Sequence, residues 1–219
     1  MAQVSCSSAL DCFIKKYLKS YQDTLSEFPR YYPLGEDSIC IQGTFNPDID
    51  ETVFWQPMKR DNLADFSNVE HALNIQLHTD IHAFYGQYFS APLQFTAPFG
   101  DGELLQVWNQ DDFENLQQNV IGHLIMKQKL KQPATWFIGV LGEGDEMLTV
   151  NNDDGSVWVE IPGEIQRTKL AGSLAEFLGL ISPMITPPQK PIEDEVLRVN
   201  HPGIWPRIKT MWDYLARKK

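Results

Sequence analysis

Two stretches of the chain double back within a few residues, and they limit its fold more than any other feature. "LQFTAPFGDGELLQVW", residues 93–108, reads as two strands joined by the Gly-Asp-Gly turn. "EMLTVNNDDGSVWVEIP", residues 146–162, reads as a hairpin turning at Asp-Gly. Connections this short pair neighbouring strands antiparallel, because a parallel pair needs a crossover of a dozen or more residues. The pattern therefore predicts a largely antiparallel or mixed sheet.

Around these strands the apolar period changes to that of a helix. Leu10, Phe13, Ile14, Tyr17, Leu18, Tyr21, Leu25 and Phe28 recur at three- and four-residue steps, predicting an amphipathic helix ended before Pro29. "ICI" can begin a short strand, and "TVFWQP" is an extended run stopped at Pro57. Ser67 or Asn68 can cap a short helix over Val69–Leu73, and a second helix is expected from Asp80 through Phe89. Gln110-Asp111-Asp112 opens a longer helix carrying Phe113, Leu116, Val120 and Leu124 to about Lys129, with its acids at the positive end of the dipole. "ATWFIGVLG" reads as a buried strand and "TKLAGSLAEFLGLI" as a helix. The expected architecture is an α+β domain, its sheet flanked by helices, over residues 1–181. A proline-rich linker follows at 182–200 and a basic amphipathic helix at 201–219.

Charge disfavours several kinds of partner for much of the surface. The net charge is −11. From Asp61 to Met126 there are nine acids and no Lys or Arg, and from Gln132 to Gln166 seven acids and again no base. Surfaces of one sign disfavour nucleic acid and anionic lipid and favour a basic partner. No apolar run approaches the ~20 residues of a membrane-spanning helix. The N-terminus has no apolar signal core, so the cytosol is the expected compartment.

Enzymatic and cofactor chemistry finds little purchase. His78 and His82 have helical spacing for a metal, but "HTDIH" lacks the glutamate of a His-Glu-x-x-His protease. His82, flanked by Ile81 and Phe84, reads as a packed, hydrogen-bonded residue. Asn152, Asp154 and Gly155 fit positions within a calcium loop, whereas Val150 and Ile161 fall where ligands are required. "GEGDE" and "GDGEL" lack the spacing and lysine of a phosphate loop. Cys6, Cys12 and Cys40 have neither zinc-knuckle nor redox spacing, and no Gly-x-Ser-x-Gly elbow occurs. No cofactor, metal or small-molecule substrate is expected, and the chain is not expected to be an enzyme.

What is left is a surface. The acids of the first window would focus on a basic ligand if they share a concavity. Trp55 and Trp108, adjacent to them, could stack on its Arg or Lys side chains. Asp111 and Asp112 have an alternative use in capping their helix. The last nineteen residues reverse the sign, with five bases against Asp213 alone. Trp205, Arg207, Lys209, Trp212 and Lys218 are the residues there that an anionic bilayer would engage, and docking on the acidic body is the alternative.

The order of several short motifs resembles the Syd family of SecY-interacting proteins. They are Trp55-Gln56-Pro57, "NVE" at Asn68–Glu70, Ile81-His82 with Phe84-Tyr85, Gln106 and Trp108, and "DDF" at Asp111–Phe113. Gln117, Asn119, "IGHL" at Ile121–Leu124, and the series Lys131, Pro133, Thr135, Phe137 and Ile138 continue it, and Leu170–Leu178 closes it. The resemblance spans roughly residues 8–180, leaving the tail outside. It implies a SUKH-like α+β fold, no enzymatic activity, and a cytoplasmic protein held peripherally on the inner membrane. It also implies an acidic concave face for the basic cytosolic loops of the translocon subunit SecY. A role in monitoring translocon assembly and, through the tail, peripheral contact with anionic lipid are expected in addition. The residues assigned to that face are Asp111, Asp112, Glu70, Asp80 and Glu103, with Trp55 as a platform. An immunity-type protein that neutralises a toxin by direct binding is the alternative.

Overall fold

The computed structural model describes residues 4–142 and 144–190. In chain order the elements begin with α1 (Cys6–Leu25), β1 (Arg30–Tyr31), β2 (Ile41–Gln42), β3 (Val53–Trp55) and β4 (Met58–Lys59). Then come α2 (Ser67–Leu73), α3 (Asp80–Gly86), β5 (Tyr88–Phe89), β6 (Leu93–Ala97), β7 (Gly100–Leu104) and α4 (Gln110–Lys129). The last are β8 (Thr135–Leu141), β9 (Met147–Asn151), β10 (Val157–Glu160), β11 (Thr168–Ala171), α5 (Leu174–Leu180) and β12 (Ser182–Pro183).

Seven strands form one sheet in the order β11-β10-β9-β8-β7-β6-β12, and every pairing in it is antiparallel. Strands β6 to β11 follow one another as a meander, and β12 returns to close the β6 edge. A small sheet, β1-β3-β2, and the ribbon β4–β5 carry the chain between α1 and the meander. The fold is α+β, as the short turns require. All seven residues of β8 are buried, with α4 packed against this strand. Burying each of its large apolar side chains contributes roughly 1.5–3 kcal/mol. Helix α1 lies against α3, α5 and β12 and buries Leu10, Phe13, Ile14, Tyr17 and Tyr21.

The hairpins differ in how well their turns were read. Between β9 and β10 the chain reverses at Asp154-Gly155, with Gly155 at φ +71°, as Asp-Gly predicts. Between β6 and β7 it does not reverse at Gly-Asp-Gly: the loop is Pro98-Phe99, and Gly100-Asp101-Gly102 belong to β7. Gly102 serves packing instead. A Cβ there would lie 2.5 Å from Phe95 Cζ and 2.5 Å from the Val140 carbonyl oxygen. "LLQVW" is likewise not a second strand, because β7 ends at Leu104.

Three helix ends depart from expectation. Helix α1 stops at Leu25, where Ser26 turns left-handed and donates its N–H to the Gln22 carbonyl. Helix α2 is not capped by Ser67 or Asn68. Its N-cap is Phe66, which makes no side-chain cap bond, while Asp65 just before it accepts from the Ser67 N–H at 3.0 Å and hydroxyl at 2.7 Å. Helix α3 ends at Gly86, since Tyr88 and Phe89 pair with β4 rather than continuing the helix. Helix α4 begins where predicted, with Asn109 Oδ1 accepting from the Asp112 N–H at 2.9 Å.

Residues 182–190, the described part of the predicted linker, stay on the body. Ser182 and Pro183 pair with Thr96 and Phe95, and Ile185 packs on the core. Residues 191–219, and so the predicted C-terminal helix, lie outside the described residues.

Candidate partner-binding surface

Trp108 organises the region to which several of the predicted acids come. It follows β7 and is buried, and three parts of the chain meet on it. Its N–H donates to Asp112 Oδ2 at 2.8 Å, and its Nε1–H donates to the Glu36 carbonyl at 3.0 Å. Its own carbonyl accepts from the Ser38 hydroxyl. Asn109 adds bonds from Nδ2 to the Asp37 carbonyl at 2.9 Å and to Glu36 Oε2 at 3.3 Å. The loop after β1 is thereby fixed against the start of α4. Behind Trp108 the rings of Tyr31 and Trp55 lie 5.0 and 6.3 Å away, and Tyr17 lies 6.2 Å from Trp55.

Tyr31 reports which acids share this place. The residue is partly buried against the core, and enclosure pushes its phenol pKa well up. The carboxylates of Asp112, Glu103 and Glu36, in that order, push it further. The charges of these three carboxylates, drawn from three parts of the chain, are therefore felt at one place, the Tyr31 hydroxyl. Glu103 acts from β7, held by Gln94 across the β6–β7 pair, whose Nε2 donates to Glu103 Oε2. Asp111 is exposed in the first turn of α4, beside Asp112.

The predicted site residues therefore divide. Glu103 and Asp112 both act on Tyr31, and Asp111 precedes Asp112 in the first turn of α4. Asp112 is only 7% exposed, and it holds the Trp108 backbone rather than facing outward. Glu70 and Asp80 belong to another region, where the chain between α2 and α3 meets the β9–β10 turn. Glu70 Oε1 accepts from the Leu77 N–H at 2.8 Å, and Asp80 Oδ2 lies 3.9 Å from His78 Nδ1. Burial raises the Asp80 pKa, opposed by His78. The His78 N–H donates to Asn152 Oδ1 at 2.9 Å, which ties this segment to the turn. His82 Nδ1 accepts from the Phe66 N–H at 3.1 Å, a packing role.

The stacking platform needs correction. Trp55 is 2% exposed and Trp108 5%, so neither offers a ring face to a partner. Side chains alternate along β3, with Trp55 turned inward and its neighbour Phe54 turned out. Phe54 is the exposed aromatic residue, and the Arg30 guanidinium lies 4.6 Å over its ring. Trp205, Arg207, Lys209, Trp212 and Lys218 fall outside the described residues.

Glu36 went unread in the sequence, although a signal for it existed. Residues 31–58 form a third stretch without Lys or Arg, containing Glu36, Asp37, Asp48, Asp50 and Glu51. Among the described residues, no helix is long and apolar enough to cross a membrane.

Comparison with known proteins agrees with this architecture. The sequence model of the Syd protein (SUKH-2) family matches residues 7–183. "Protein Syd" of Shewanella frigidimarina (strain NCIMB 400) is 86% identical over 216 residues, covering 99% of this chain and 100% of that protein. "Protein Syd" of Shewanella sp. (strain MR-7) is 60% identical over 216 residues, with the same coverage. "Protein Syd" of Shewanella denitrificans (strain OS217 / ATCC BAA-1090 / DSM 15013) is 57% identical over 215 residues, covering 98% and 99%.

Proposed function

The chain belongs to the Syd (SUKH-2) family, and on that premise we propose that it binds basic cytosolic loops of SecY through the acidic surface around Trp108. The charges of Glu36, Glu103 and Asp112 acting together on Tyr31, beside a Trp108 that ties the Glu36 loop to the start of α4, and with Asp111 exposed next to Asp112, carry this reading. Cytoplasmic loops of membrane proteins carry an excess of Lys and Arg, so an acidic surface complements them. Such complementarity acts mainly on encounter rate and on the choice of partner.

The residues divide by role. Asp111, Glu103 and Glu36 meet the incoming bases. Asp112 holds the Trp108 backbone, and its negative charge adds to the field. Trp55 supports this surface from behind. Glu70 and Asp80 would serve a partner long enough to reach the β9–β10 turn as well. The protein acts here as a binding protein at the cytoplasmic side of the inner membrane, recruited by SecY.

Co-sedimentation with SecY-containing vesicles across a salt series, against protein-free vesicles, tests the reading. Binding that requires SecY and weakens as salt rises is expected. Equal binding to both kinds of vesicle would contradict it.

A further inference from the structure

Residues 184–190, beyond β12, stay on the body, and their path supports an inference that rests on the acidic-surface reading above. The Met184 N–H donates to the Gln94 carbonyl at 3.0 Å, and the Gln94 side chain is the one that holds Glu103. Two residues on, Thr186 is clasped by the Tyr21 hydroxyl, which accepts from the Thr186 N–H at 3.3 Å and donates to its carbonyl at 3.4 Å. Lys190 then forms an ion pair with Asp50. Asp50 lies in the base-free stretch 31–58 that also supplies Glu36. A base of the chain's own C-terminal segment thus already sits on an acid of the kind a basic partner would seek.

We propose that the segment from Met184 onward is an intramolecular competitor, occupying part of the acidic surface until a basic partner displaces it. Residues 184–219 hold seven Lys and Arg against four acids, on a chain whose net charge is −11. Reach is no obstacle. Ten extended residues beyond Lys190 span about 33 Å, against a radius of gyration of about 16 Å for a body of this size. Tethering makes the contact intramolecular and gives the segment a high effective concentration. The seated pair is exchangeable, because the Lys190 and Asp50 side chains are 57% and 48% exposed. The anchors at Gln94 and Tyr21 set where the segment lies, while the charge it places on Asp50 can be replaced by another.

The test uses the full chain. Lys190→Gln is compared with a variant in which every Lys and Arg from 190 to 219 becomes Gln. Affinity is read by fluorescence anisotropy with a labelled synthetic 15-residue Lys/Arg peptide, without lipid, and melting curves check folding. A segment occupying the surface between half and nine-tenths of the time lowers apparent affinity about two- to tenfold. The multiple variant should bind the peptide tighter by that factor and Lys190→Gln by less. A synthetic 184–219 peptide should displace the label. Unchanged or weaker peptide binding in the multiple variant would overturn the inference, as would no binding by any of the chains. Loss of binding to anionic vesicles with unchanged peptide affinity would assign these bases to lipid and overturn it too. A gain in peptide affinity alongside failure to bind SecY vesicles would contradict the SecY reading alone.

Discussion

Trp108 is bonded through both of its N–H groups, one to a carboxylate and one to a backbone carbonyl, and this fixes the Glu36 loop against the start of α4. Asp112 and Asp111 are neighbours with different work. Reversing the exposed one, Asp111→Lys, should weaken SecY-dependent vesicle binding by about tenfold, roughly 1.4 kcal/mol, while stability falls only by the ~0.3–1 kcal/mol of a charge at a helix N-terminus. Asp112→Ala should instead destabilise the fold by about 1–3 kcal/mol in chemical denaturation, since it leaves a buried N–H without its acceptor. Unchanged binding in the first variant, or unchanged stability in the second, would contradict these roles. Single residues of this kind were only partly legible in the sequence. The acids at 103, 111 and 112 could be picked out by the absence of nearby bases. Nothing in the spacing showed that Asp112 points inward. Trp55 was misassigned because the inward face of a three-residue strand is set by tertiary packing, which a short extended run does not reveal.

At the scale of elements, α4 is tied to the sheet by a buried ion pair. Lys127 and Glu160 are 1% and 0% exposed and meet at 2.9 Å. Glu160 also accepts from the hydroxyls of Thr135 and Thr149, and Lys127 donates to the Glu164 carbonyl. Lys127→Met should cost about 3–5 kcal/mol in chemical denaturation, because it leaves Glu160 buried without its counter-charge. A loss below 1 kcal/mol would mean that the helix is held by apolar packing alone. The strand at β7 gives a second check. Gly102→Ala should destabilise by about 1–3 kcal/mol, since the Phe95 ring and the Val140 backbone must give way. The existence and type of α1, α4, β8 and the β9–β10 hairpin followed from period and turn chemistry. The β6–β7 turn did not, because a glycine that makes room for a ring looks in sequence like a glycine that bends the chain. The two-residue strands β1, β2, β4 and β5 lie below the length at which alternation can be read.

Across the whole molecule, three base-free stretches come from different parts of the chain, and two of them, 31–58 and 61–126, supply Glu36, Glu103 and Asp112, whose charges all act on Tyr31. The stretch 61–126 also contains Glu70 and Asp80, which the fold places elsewhere, so charge runs alone could not say which acids meet. Stability should depend on pH through His123. Its imidazole is buried, and enclosure, with the nearby Lys127 charge, lowers its pKa from 6.5 to about 3. Between those values the unfolded chain binds a proton that the folded chain refuses. The stabilisation is therefore complete above pH 6.5 and is lost as pH falls toward 3, at up to about 1.4 kcal/mol per unit. Denaturation at pH 7 and pH 5 should show this loss in the native chain, and His123→Gln should reduce it; an identical slope in the variant would contradict the assignment. The claim on which the account turns is that the Trp108 surface, and not another, meets SecY. Its most direct measurement is site-specific photo-crosslinking on SecY-containing vesicles, with the crosslinker placed at Asp111 in one chain and at the exposed Ile165 in another. Crosslinks to cytosolic loops of SecY from position 111 and none from 165 are predicted. Equal yields from both positions, or crosslinks from 165 alone, would contradict the account.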